Sequence, residues 1–182
     1  MKKLSGVIFA VCVVLALAAC ASTPAGIPSD VVKARRNAPE DVLVGIGTAK
    51  MGTVSQSRNI AATRARTELS NTMSSMVSNM VRDYTASSEV DPQAALAFQE
   101  NITVTLSRSN LSGAVIQEEA EDKDGNWWVV MYLSKADVAR EITQAQAAAR
   151  LTAPAMASFD AEARMNEAFE RAAKDASSTG WW

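Results

Sequence analysis

The sequence predicts an α+β domain: a small three-stranded sheet packed on a long helix, in the order β-α-α-β-β-α, followed by a C-terminal helix. Three observations carry this. "DVLVGIGTAK", residues 41–50, is an apolar, β-favouring run closed by small residues. From Leu69, apolar residues recur at offsets of 4, 7, 8, 11, 12 and 15, the period of one helix face. "SGAVIQEEAEDKDGNWWVVMYLSK" has two strand-like arms around Asp124-Gly125-Asn126, a hairpin turn signal. A strand, a long helix and a hairpin bury their apolar faces together as a sheet with helices on one face.

Before the domain lies a targeting segment, residues 1–19. Lys2 and Lys3 precede the apolar run Leu4–Ala19, and the first acidic residue is Asp30. This is the layout of a secretory signal, and the run is short for a membrane span of about 20 residues. It closes on Leu17, Ala18 and Ala19 before Cys20, the form of a bacterial lipobox. Cleavage before Cys20 predicts a diacylglycerol on its thiol and a third acyl chain on its freed amine. Palmitate-type chains contribute about 0.8 kcal/mol per buried CH₂, which holds a triacylated protein at a bilayer. Ala21, where an aspartate would retain the protein at the inner membrane, predicts an outer-membrane location, on the periplasmic face or the cell surface.

Removing Lys2 and Lys3 leaves 16 basic and 20 acidic residues, a net charge of about −4. That balance supplies no basic face for nucleic acid. Cys12 leaves with the signal and Cys20 is acylated, so neither a disulfide nor a free thiol is expected. Histidine is absent.

Residues 20–40 read as the lipidated Cys and a flexible tether, because 21–40 hold three of the five prolines and no sustained apolar period. Twenty such residues span about 25 Å on average and roughly 65–70 Å fully extended. The domain proper is expected over 41–152, with a helical extension over 153–182.

Within the domain, Ser55 or Ser57 is placed to cap a helix over about 55–85. Its stripe is Ile60, Leu69, Met73, Met76, Val77, Met80, Val81 and Tyr84, with Ala61, Ala62 and Ala65 keeping the first half slim. Asp91-Pro92 starts a second helix with Ala95, Phe98 and Ile102 on one face, ending near Leu106. The hairpin arms are 113–121 and 126–134, and Ser134 caps the helix that follows. Pro154 interrupts, and a last helix carries Phe159, Ala163, Met165 and Phe169 as a thin apolar strip.

The glycines of "VLVGIGTAKMG" invite a nucleotide reading. A dinucleotide fingerprint needs a third glycine at position 50, which is Lys50, and an acid ending a second strand, whereas Glu68 falls inside a helix. A P-loop needs Lys-Ser after its last glycine, and Thr53-Val54 follow Gly52. The glycines are instead expected to let a helix lie close on the strand. Catalysis fares no better. Without His or free Cys, thiol and Ser-His chemistry are excluded. The acidic run 118–124 puts Glu119 and Glu121 on one face and Glu118 on the other, at a hairpin tip that offers solvent, whereas a catalytic carboxylate needs burial or like-charge crowding. Its spacing is not that of a calcium-binding EF-hand. No enzyme, metal or cofactor is expected beyond the lipid on Cys20.

One stretch points to a partner. "LSNTMSSMVSNMV", Leu69–Val81, carries no charge, although a solvated helix face normally does. Hydroxyls and amides desolvate more easily than ions. Ser70, Ser74 and Ser78 are therefore candidate interface residues, for other copies of the chain or for envelope proteins. The alternative is that the sheet and C-terminal helices of the same chain cover this face. Trp181 and Trp182 are further interface candidates.

Three segments together resemble the LPP-twenty family of bacterial surface lipoproteins. In "VLVGIGTAK", Gly45, Gly47 and Ala49 match its V-G-x-G-x-A. In "AATRARTELSNTM", Ala61, Ala62, Ala65, Arg66 and Leu69 fit its alanine run ending A-R-x-x-L. Trp128, Val129 and Val130 fall where its second hairpin strand runs. The similarity covers roughly residues 41–140. The flagellar outer-membrane proteins FlgP and FlgO belong to the same wider group. The resemblance implies a non-enzymatic outer-membrane lipoprotein with an α+β domain and a structural or interaction role, with self-assembly as one form of it. Two other readings stay open: a flagellar basal accessory lipoprotein, and an envelope module that binds a small ligand. The last requires a concave pocket beside Trp127 or Trp128.

Overall fold

The computed structural model describes residues 26–109 and 111–178. Strand β1, Val42–Ala49, leads into the long helix α2, Val54–Ala86. Helix α3, Pro92–Arg108, precedes the hairpin of β2, Val115–Glu121, and β3, Trp127–Ser134. Helix α4, Lys135–Arg150, a 3₁₀ turn at Pro154–Met156 and helix α5, Ala161–Ser178, complete the order. The expected α+β architecture is present, with one added element. Helix α1, Ser29–Arg36, stands ahead of β1, inside the stretch read as tether.

The sheet is antiparallel in the order β1-β3-β2, so β1 and β2 are both edges. Val42 faces Ser134 and Ala49 faces Trp127 across the β1–β3 ladder. The β2–β3 register slips between Ile116 and Glu118, a bulge at Gln117. Alternation along β1 and β3 then sorts the side chains. Leu43, Gly45, Gly47 and Ala49 face the same side as Leu133, Met131, Val129 and Trp127. This side packs on α2. Val44, Ile46 and Thr48 face the other side with Tyr132, Val130 and Trp128.

Helix α1 covers that second side. Its Val31 and Val32 are buried, Val130 beneath is fully buried, and the Tyr132 hydroxyl donates to the Ala34 carbonyl. Asp30 in its first turn and Lys33, Arg35 and Arg36 in its last suit the helix dipole. The tether expectation fails for 29–36 because eight residues are too few to display a period, and because the helix is stabilised by the sheet it lands on. Signal residues 1–19, with Leu17, Ala18 and Ala19, and Cys20 itself lie outside the described residues.

The C-terminal segment is likewise no appendage. Phe159, Ala161, Met165, Ala168 and Phe169 belong to one continuous core with Leu69, Met73, Met76, Phe98 and Met131. Phe159 meets the rings of Tyr84 and Phe98 edge-on at centroid distances of 5.5 and 5.4 Å. Buried Gln146 of α4 donates to the Phe159 carbonyl at 2.8 Å and accepts from Ala161 N–H at 3.1 Å, which splices the start of α5 onto α4. The domain therefore runs through α5, which packs on α2 and α4 while the 3₁₀ turn before it packs on α3. Its strip differs by one residue from expectation. Ala163 is exposed, and Ala168 takes the inward place on the 3.6-residue period.

Other details also differ. Thr53 caps α2, its hydroxyl accepting from Gln56 N–H at 3.2 Å. Ser57 is buried instead, taking Met51 N–H at 2.9 Å and donating to the Thr53 carbonyl at 3.0 Å. Ile60 is exposed, because it lies off the Ala61–Ala65 face that meets the sheet. Asp91 and Ser134 cap α3 and α4, accepting from Gln93 N–H at 3.3 Å and Asp137 N–H at 3.1 Å.

Candidate functional site

As an edge strand, β1 presents unpaired backbone groups on the side away from β3, and such groups need partners. Two side chains of α2, one turn apart, supply them. Glu68 accepts from Ile46 N–H, and Arg64 donates to the Thr48 carbonyl. The strand and the helix come this close because Gly45 and Gly47 face α2. A Cβ on Gly45 would fall within 3.0 Å of the Ala65 oxygen and Leu69 Cγ. A Cβ on Gly47 would fall within 3.0 Å of the Ala61 oxygen and the Ala65 nitrogen. Ala49 is buried on the same face, and Ala65 is fully buried opposite it. Arg66 lies on the other flank of α2, beside Ser107 of α3 and Ser109 just after it.

The blocked edge forms the floor of a cleft of about 380 Å³. One wall is Ile27, Val31 and Arg35 at α1. The other is Arg64, Thr67, Glu68 and Asn71 of α2, and Ile46, Thr48 and Trp128 of the sheet lie between. A volume of this size is typical of a small-molecule site, which pairs mostly apolar walls with a few placed polar groups.

Burial pushes the Glu68 carboxyl above the ordinary glutamate range of about 4.5; the Ile46 N–H and the Arg35 charge pull the other way without cancelling it. Thr48 Oγ1 is buried in the sheet between the two walls with no hydrogen-bond partner, although buried hydroxyls are normally satisfied. Trp128 is held in place by its turn. Its indole N–H donates to Asp122 at 3.0 Å. Asp122 also accepts from the backbone N–H of Asp124 at 2.9 Å, and from the backbone and side-chain nitrogens of Asn126, both at 2.8 Å. Burial works against the ionised carboxyl, but these hydrogen bonds outweigh it and hold Asp122 at about 2. Gly125, at φ +79°, supplies the left-handed residue that the turn needs.

Glu68 gives a pH-dependent stability. Its carboxyl titrates near 4.5 when unfolded and higher when folded, so the folded state binds the proton more tightly. Stability must then fall as pH rises from about 4.5 through the folded value, and level off above it. Glu68→Gln keeps an oxygen for Ile46 N–H and removes the ionisation. Urea midpoints measured between about pH 4 and 8 should show the wild type losing ground to the variant as pH rises. Parallel curves would exclude the effect.

The three serines of the uncharged helix face are not equivalent. Ser70 is buried against α3, its hydroxyl 3.5 Å from the Leu106 carbonyl, so it is closed to a partner. Ser74 and Ser78 are half-buried on the same row. Much of this face is covered by α3 and α5 of the chain itself, the intramolecular alternative stated above. Its lack of charge has a local reason, since ions there would be desolvated by the domain's own helices. Trp181 and Trp182 lie outside the described residues.

Trp128 was within reach of sequence reasoning; Arg35, Thr48, Arg64 and Glu68 were missed. The available signal was the Arg64–Glu68 pair at i, i+4, just before the uncharged stretch and beside the alanine face. Among the described residues, no group of three or more acidic, His or Cys side chains is arranged to hold a metal ion. No described helix is long and apolar enough to cross a membrane. No family model, curated protein or solved structure matches the chain.

Proposed function

We propose that this chain is a non-enzymatic, lipid-anchored envelope protein whose folded domain holds a small ligand in the cleft beside Trp128. The observation that supports the ligand reading is the cleft of about 380 Å³, apolar at Ile27, Val31, Ile46 and Trp128 and polar along α2. The anchor rests on the lipobox at Leu17–Cys20 and the outer-membrane address on Ala21. The resemblance to surface lipoproteins of the LPP-twenty family fits both. A structural or self-associating role draws its support from the partly open row at Ser74 and Ser78, which is narrower once Ser70 is turned inward. The ligand reading therefore stands first.

Ligand-observed NMR with a fragment library tests it on the chain from Cys20 onward, made without the signal segment. Fragments should bind, and Trp128→Ala should weaken them at least tenfold, because the indole forms one side of the cleft. Either an empty screen or hits indifferent to Trp128→Ala would overturn the reading.

A further inference from the structure

We propose that Thr48 makes the cleft selective for a neutral ligand, an apolar body that carries one uncharged oxygen. The inference rests on the ligand reading above and names the ligand class. The polar groups around the cleft differ in what they have left to offer. Glu68 and Arg64 already serve the edge of β1, at Ile46 N–H and at the Thr48 carbonyl. Arg35 is engaged within the protein as well. Trp128 gives its indole N–H to Asp122, so it offers the cleft a ring and no donor. The Thr67 hydroxyl donates to the Thr63 carbonyl at 3.1 Å, and Asn71 is exposed to water. Thr48 Oγ1 is different, because it is buried and has no partner among the described residues.

No hydrogen bond holds that hydroxyl where it lies. A rotation about χ1 exchanges Oγ1 with another substituent of Cβ, and strands accept more than one such rotamer. Thr48 lines the cleft, so the hydroxyl can turn to a bound ligand without breaking any existing bond. A ligand oxygen then satisfies a group that the free protein leaves unpaired. A hydroxyl both donates and accepts, so an alcohol, a ketone or an ester suits it. Ile27, Val31, Ile46 and Trp128 supply apolar surface for the alkyl or aromatic body.

An ion fits less well. Arg64 and Glu68 stand one helical turn apart on the same wall, so an ion of either sign meets a like charge beside an opposite one. It also gives up its hydration among apolar side chains, which costs far more than the same loss at a hydroxyl or carbonyl.

The test uses octanol, octanoate and octylammonium against the chain from Cys20 onward, which contains every described element. Titration calorimetry at pH 8, where the acid and the amine are both ionised, reads the affinities. Octanol should bind at least about tenfold more tightly than either ion. Thr48→Val keeps the shape of the side chain and removes the hydroxyl. It should weaken octanol about tenfold, the loss of one buried hydrogen bond, while the melting temperature holds or rises because an unpaired polar group is gone. Thr48→Ser restores the hydroxyl and should restore most of the affinity. Either ion binding as tightly as octanol would overturn the neutral class and leave the cleft reading intact. Equal octanol affinity in the wild type and Thr48→Val would overturn the role of Thr48. Binding of none of the three, beside fragment hits that depend on Trp128, would overturn the class alone; an empty fragment screen would remove the cleft reading with it.

Discussion

Gly47→Ala is expected to destabilise the domain by about 3 kcal/mol, the upper end of what overpacking usually does. Overpacking is often relieved because a side chain swings away. Here the obstructing atoms include the backbone oxygen of Ala61 and the backbone nitrogen of Ala65, both within 3.0 Å of the added carbon. Neither can rotate aside without breaking the helical ladder. Helix α2 spans 33 residues and packs on β1 and β3 through Leu69, Met73 and the alanines, so it must shift as a body or bend. Moving it would also pull Glu68 and Arg64 away from Ile46 and Thr48, so the cleft should lose ligand affinity together with stability. A built-in control lies five residues away. A Cβ on Gly52 meets nothing closer than 3.9 Å, at the flexible end of Gln56, so Gly52→Ala should change stability by less than about 0.5 kcal/mol. For a domain of this size, 3 kcal/mol corresponds to a fall in Tm of about 6–12 °C. Equal melting temperatures for the two variants would mean that the close approach of strand and helix does not exist.

The same two glycines show which parts of the molecule its sequence reveals. Alternation in "VLVGIGTA" puts Gly45 and Gly47 on one strand face, and the neighbouring alanines sit one helical turn apart. Two periods, 2 and 3.6, thus meet at small residues, and a close contact follows from that alone. The hairpin and α3 were equally legible because their turn and cap residues act locally. The cleft was not. Glu68 and Arg64 lie on the flank of α2 that meets the free edge of β1, and no periodicity tells which strands of a three-stranded sheet are its edges. Helix α1 was hidden for a related reason. Val31 and Val32 make two apolar positions in eight residues, and the outward faces of β2 and β3 give them a place to be buried. The order of strands in space, β1-β3-β2, decides both matters, and the order in sequence does not contain it.

Phe159→Ala is expected to destabilise the whole domain by about 4 kcal/mol, within the usual range for losing a buried aromatic ring. Phe159 is fully buried between Tyr84 of α2 and Phe98 of α3, and its carbonyl accepts from both Gln146 and Arg150 of α4. The carbonyl and its bonds to α4 survive the substitution, but α2 and α3 lose their ring contacts at once, and the cavity left between them cannot collapse without moving both. The form of the transition matters as much as its size. Were residues 153–182 an extension on an independent domain, the substitution would loosen α5 and leave the melting of 41–152 unchanged, giving two steps. With Met165 and Phe169 in the same core as Leu69 and Met131, a single transition should move to lower denaturant as a unit, with its slope unchanged. Truncation after Thr152 carries the argument further. It removes Met156, Phe159, Met165 and Phe169 together, exposing the apolar surface on α2, α3 and α4 that they cover, and should leave a chain that aggregates. A soluble chain stopping at residue 152 that unfolds cooperatively at the full-length midpoint would return α5 to the status of an appendage. The partner surface would then have to be sought on the face of α2 that α5 now covers.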